Sequence, residues 1–113
     1  MARIEGYRFG RIVVDGEEHI RDVIILPSRV VPNWWREEGH SLVRNDLGDV
    51  LEEPPERLIV GTGASGLMRA DPATLEVLRR RGIDVVLART GEAVRLYAEA
   101  DPATTAAALH LTC

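Results

Sequence analysis

The sequence predicts an α/β protein: one compact three-layer domain over residues 1–113, a mixed and mostly parallel sheet with helices on it, and an N-terminal β-hairpin. Three observations lead there. Residues 23–26, 58–60 and 85–87 are short, continuously apolar runs, the pattern of strands covered on both faces. Helical patterns bounded by capping residues alternate with such runs from Asn45 onward, which favours parallel pairing through crossovers. Asp15-Gly16 sits between two strand-like runs, and a tight two-residue turn needs residues that accept positive φ.

Taken in order, residues 11–14 and 18–26 form the arms of the hairpin. Pro27 ends or bends the second arm, and residues 28–31 continue it to Pro32, the next breaker. Residues 32–42, PNWWREEGHSL, show no clean period and read as a loop with one helical turn. Asn45 caps a short helix through Glu53, with Leu47, Val50 and Leu51 on one face, and Pro54-Pro55 stops it. The strand over residues 57–60 runs into the glycines of GTGASG. Asp71 is an N-cap with Pro72 at the first helical position, where its missing N–H costs nothing. That helix runs to Arg81 and stops at Gly82; Leu75 and Leu78 face inward, and Glu76 pairs with Arg80 one turn on. Residues 85–87 form a buried strand. Thr90 caps a third helix through Ala100, with Ala93, Tyr97 and Ala100 on one face, and Asp101-Pro102 breaks it. Residues 104–112 close the chain as a strand of either direction. Its alternation puts Leu109, Leu111 and Cys113 on one side and His110 and Thr112 on the other.

Bulk properties narrow the function. A net charge of −4 argues against general affinity for nucleic acid. No stretch approaches the ~20 apolar residues of a membrane span, and the first residues lack the apolar centre of a signal peptide. Cys113 is the single cysteine, so an intrachain disulfide is excluded. The expectation is a soluble, cytoplasmic domain.

Gly61, Gly63 and Gly66 satisfy G-x-G-x-x-G, yet the surroundings are wrong for a dinucleotide. The next helix begins at Asp71-Pro72, beyond the glycines rather than within them. Asp84 precedes the following strand instead of ending it, and no Gly-Lys-Ser/Thr follows for a phosphate loop. Ser65 lacks the second glycine spacing of a hydrolase elbow. His19, His40 and His110 show no metal-ligand spacing. No catalytic residue, metal or cofactor is therefore assigned. The unusual cluster is WWREEGH, which puts both tryptophans beside an arginine and a histidine on a loop, residue types of binding surfaces.

WWREEGH, LIVGTGASG with the LRRRGIDV helix end, and the closing LHLTC together resemble a small domain family of unknown biochemistry. Its members include the vertebrate adipogenesis-associated domain protein and a mitochondrial respiratory complex I assembly factor. The residues matching its recurrent motifs are Trp35, Arg36, His40, Gly61, Gly63, His110, Thr112 and Cys113. The VGTG loop and RGI helix end are shared with the assembly-factor branch, whereas RGIDV and H-x-T-C are closer to the adipogenesis-associated branch. The resemblance implies a three-layer α/β fold with a mixed sheet and no reaction. The expected function is non-enzymatic binding or assembly, through Trp34, Trp35, Arg36, His40, Gly61, Thr62, Gly63, Ser65 and His110. The expected partner is a protein. The alternative is a small-anion-binding protein or small enzyme, with backbone N–H groups of the glycine turn and the Arg36 guanidinium as donors.

Overall fold

The computed structural model describes residues 2–113. The chain opens with β1 (Ile4–Arg8), β2 (Arg11–Val14) and β3 (Glu17–His19), an antiparallel sheet in that order. Its β2–β3 hairpin turns at Asp15-Gly16, where both residues hold positive φ (51° and 78°), as a tight turn demands. The second arm differs from expectation. Residues 18–26 are two strands in two sheets: β3 ends at His19, and β4 (Val23–Ile25) begins a second sheet after Ile20-Arg21-Asp22. β5 (Val30–Val31) folds back antiparallel on β4 instead of extending it, since Pro27 forces a turn.

The second sheet is completed by β7 (Arg57–Thr62), β9 (Asp84–Ala88) and β10 (Thr105–His110), in the order β5-β4-β10-β7-β9. β10 is parallel to β7 and antiparallel to β4, so the closing strand lies at the centre and β4 alone runs against the other four. The sheet is thus mixed, with most strands pointing one way.

Alternation along these strands builds two cores. Ile24, Leu58, Val60, Ala106 and Ala108 point to one face, with Trp34, Leu42, Leu47, Val50, Met68, Leu78 and Ile83. Val23, Ile25, Ile59, Ala107 and Leu109 point to the other, with Ile12, Val14, Ala93 and Tyr97. Each large aliphatic side chain so buried contributes about 1.5–3 kcal/mol. The alanines of β10 leave room on both faces for larger neighbours.

The first face is covered by a 3₁₀ turn (Arg44–Leu47), α1 (Gly48–Glu52) and α2 (Pro72–Arg80); the second by α3 (Thr90–Glu99) and the N-terminal sheet. Asn45 lies inside the 3₁₀ turn rather than capping it, and the N-cap position falls to Val43, whose N–H goes to the Asp46 carboxylate at 2.9 Å. Asp71, Pro72 and Gly82 (φ 78°) bound α2 as expected, and Glu76 meets Arg80 at 2.9 Å. Thr90 begins α3 without capping it, because its hydroxyl is committed elsewhere. β9 is an edge strand, which leaves Leu87 44% exposed where a buried run was expected. The segment 32–42 contains no helical turn; it ends in β6 (Ser41–Leu42), paired parallel with β8 (Arg69–Ala70).

Candidate functional site

The gap between β3 and β4 positions the site. Asp22 ends that gap beside the chain end, and its carboxylate gathers three donors. Oδ1 accepts the Leu111 N–H at 2.7 Å; Oδ2 accepts Arg36 Nη1 at 2.6 Å and lies 2.8 Å from His110 Nδ1. The three side chains are almost wholly buried. Burial by itself would raise the Asp22 pKa. Hydrogen bonds from His110, the Leu111 N–H and Arg36, with the Arg36 charge, outweigh it and hold the carboxyl below its usual range.

His110 Nδ1 also lies 3.0 Å from Arg36 Nη2. A guanidinium only donates and an ionised carboxylate only accepts, so Nδ1 can serve one of them. A lone pair on Nδ1 would face the Asp22 anion, so the proton belongs on Nδ1, donated to Asp22. Arg36 Nη2 donates instead to Gly39 O at 3.2 Å. Two buried atoms of this cluster, Arg36 Nε and His110 Nε2, then have no partner among the described residues.

The same contacts fix the tryptophan loop. Trp34 donates its N–H to Asp22 O and its indole Nε1–H to Asp46 O, both at 2.8 Å. Its ring carries the Arg36 guanidinium 4.9 Å from the centroid, a cation–π contact. Glu37 N–H goes to Asp46 Oδ1 at 3.0 Å. Residues 34, 36 and 37 are therefore tied down, and Asn33 turns the chain with a φ of 53°. Trp35 between them is left outside, 84% exposed. Beside it opens a groove of about 590 Å³, lined by Ile20, Arg21, Asp22, Asn33, the tryptophans, Arg36, Gly39 and Thr112. Ile20 on its rim is 69% exposed.

Of the residues singled out from sequence, the fold brings Trp34, Trp35, Arg36 and His110 together. Thr62 is the register partner of His110 across β7 and β10, and its hydroxyl donates to Ala88 O at 3.0 Å. His40 is exposed, with its carbonyl taken by Arg69 N at 2.8 Å. Ser65 is exposed as well.

The glycine turn wraps the chain's own last residues. Ala64 N donates to Thr112 O at 2.6 Å and Leu67 N to Cys113 O at 3.0 Å, so amides expected to face a ligand are given to the backbone. A Cβ on Gly63 (φ 106°) would overlap the Cys113 carbonyl, and one on Gly61 would sit 2.8 Å from Thr90 Oγ1. Thr90 Oγ1 itself accepts Gly63 N–H at 2.9 Å and donates to His110 O. The glycines serve close backbone approach.

Asp22, Ile20, Arg21 and Asn33 escaped the sequence reading. The one available signal was Asp22 itself, an acid directly ahead of Val23-Ile24-Ile25, where a buried carboxylate demands partners.

Residues 4–110 match the model of a family described as protein of unknown function (DUF498/DUF598). The chain belongs to this family. The chain is also similar to solved structures over nearly its whole length. A conserved hypothetical protein from Pyrococcus horikoshii is 29% identical with a TM-score of 0.83, covering 98% of this chain and 99% of its own. A Bartonella henselae protein described as an outer membrane protein is 28% identical with a TM-score of 0.84, covering 99% and 96%. A Bordetella pertussis protein described as an Mth938-like domain, 22% identical with a TM-score of 0.73 over 96% and 85%, shares the fold. Among the described residues no helix is long and apolar enough to cross a membrane.

Proposed function

We propose that this DUF498 chain is a non-enzymatic binding or assembly domain that docks a partner protein through the rim carrying Trp35. The observation that carries the reading is a tryptophan 84% exposed on a loop whose neighbouring residues are locked by buried bonds. A large aromatic held in one place outside the core offers contact area at little ordering cost, the property of interface hot spots. Arg36 supports this role from beneath: its charge is matched by Asp22, so it stiffens the loop rather than reaching outward. The resemblance to a family with a respiratory complex I assembly factor makes respiratory assembly the first process to examine.

The test is affinity capture from the native host with the wild-type chain and Trp35→Ala side by side. A partner held by wild type and lost by the variant, with unchanged circular dichroism, is the expected result. Equal capture by both, or no partner and no effect of deletion on respiratory assembly, would overturn the reading.

One observation favours a second reading, a small anion-binding protein or enzyme: the Nε–H of Arg36, a buried donor with no acceptor among the described residues. Titrating phosphate and carboxylates while following the His110 ring resonances by NMR tests it; resonances that stay still would dismiss it.

A further inference from the structure

We infer that the groove beside Trp35 takes an acidic peptide segment, an extended stretch that sets a carboxylate against Arg21 and a large apolar side chain against Ile20 and Trp35. The inference rests on the docking reading above and adds the chemistry of the partner.

Charge comes first. The groove is lined by two guanidinium groups, Arg21 and Arg36, and one carboxylate, Asp22. Arg36 and Asp22 neutralise one another at 2.6 Å, which leaves the cation of Arg21. Arg21 is exposed and engages in no ion pair or side-chain hydrogen bond among the described residues. Glu37 and Glu38 neighbour the loop in sequence but do not line the groove. On a chain of net charge −4 this is a local positive spot, and it orients an acidic partner that the rest of the surface repels.

Shape and hydrogen bonding select a peptide. A pocket for a small ion encloses its guest, whereas here Ile20 and Trp35 stand exposed on the rim of a groove of about 590 Å³, room for more than one side chain. Arg36 lines this groove, its side chain is almost wholly buried, and its Nε–H has no acceptor among the described residues. A buried donor left unmade is costly, and an extended peptide offers a carbonyl at every residue to satisfy it. The guest thus supplies a main-chain acceptor, an apolar side chain and an acid.

A random dodecapeptide library displayed against the full chain tests this, with enriched sequences resynthesised and measured by fluorescence anisotropy on wild type, Arg21→Glu and Trp35→Ala. Both side chains are exposed, so the variants keep the fold, which thermal melts verify. Enriched peptides should pair Asp or Glu with a large apolar residue. Their binding should weaken by at least about tenfold in Arg21→Glu, as an attractive charge pair becomes repulsive, and be lost in Trp35→Ala. Peptides that need Trp35 but carry no acid and ignore Arg21→Glu would overturn the inference and leave the docking reading standing. Enrichment that never depends on Trp35 would overturn both.

Discussion

Replacing Asp22 with Ala strips three donors of their acceptor in one step: Arg36 Nη1, His110 Nδ1 and the Leu111 N–H. The largest loss is electrostatic. The Arg36 side chain is 6% exposed, and removing one partner of a buried ion pair costs about 3–5 kcal/mol because the other charge stays behind. Each orphaned neutral donor adds about 1–3 kcal/mol when it stays dry, but the terms overlap and the loop can relax. We expect a total of about 4 kcal/mol. A domain of this length commands roughly 6–17 kcal/mol, from about 0.05–0.15 kcal/mol per residue, so Asp22→Ala should fold while losing a large share of its stability. Urea denaturation followed by tryptophan fluorescence reads this directly, since Trp34 sits against the cluster. The double variant Asp22→Leu/Arg36→Met should recover the part of the loss due to the stranded charge, while the Leu111 N–H and His110 Nδ1–H still lack their acceptor. The pH dependence carries the same signature. Asp22 has a folded pKa below its ordinary 3.8, so its contribution is fully present above that value and is lost as pH falls from there through the lower folded value. Asp22→Asn should flatten the stability curve in that acid window. A loss under 1 kcal/mol for Asp22→Ala, with an unchanged acid limb, would refute this account of what holds the loop.

Three further outcomes follow from the backbone and the second core. Gly63→Ala combines positive φ with overlap of the Cys113 carbonyl, and should cost more than about 2 kcal/mol in a denaturant melt. Gly82→Val meets open space, so only the φ of 78° counts, and the same melt should show a smaller loss of roughly 1 kcal/mol. Tyr97 buries a hydroxyl with no partner among the described residues, and burial, with the Asp15 charge second, raises its pKa; Tyr97→Phe should be neutral or more stable by up to ~1 kcal/mol in thermal unfolding.

The helices and the central strands were legible because their signals are local. Asp71-Pro72 and Gly82 mark the ends of α2 by backbone chemistry alone, and residues 58–60 announce burial on two faces by having no polar side. What escaped depends on partners far along the chain. Nothing near Asp22 states that its acceptors will be filled by residues 36, 110 and 111. The division of residues 18–26 between two sheets was hidden for the same reason, since each half looks like a strand and only the pairing separates them. Half of the candidate site was visible as residue types, in Trp34, Trp35, Arg36 and His110. The glycine run was ambiguous taken alone, since a turn that approaches a phosphate and one that approaches its own chain need the same absent side chain; the late helix start and the misplaced acid pointed to the second, and the chain's own backbone lies there.

The central position of β10 has a kinetic consequence. β4 and β7 are neighbours only through it, at register pairs such as Ile24 with Ala108 and Val60 with Ala108. Until residue 110 has left the ribosome, no strand is present to join the β5–β4 pair to the β7–β9 pair. Contacts this distant in sequence make closure slow, and the open edges are prone to pair with other chains meanwhile. Synthesis, not only sequence, thus sets the order in which this sheet can close.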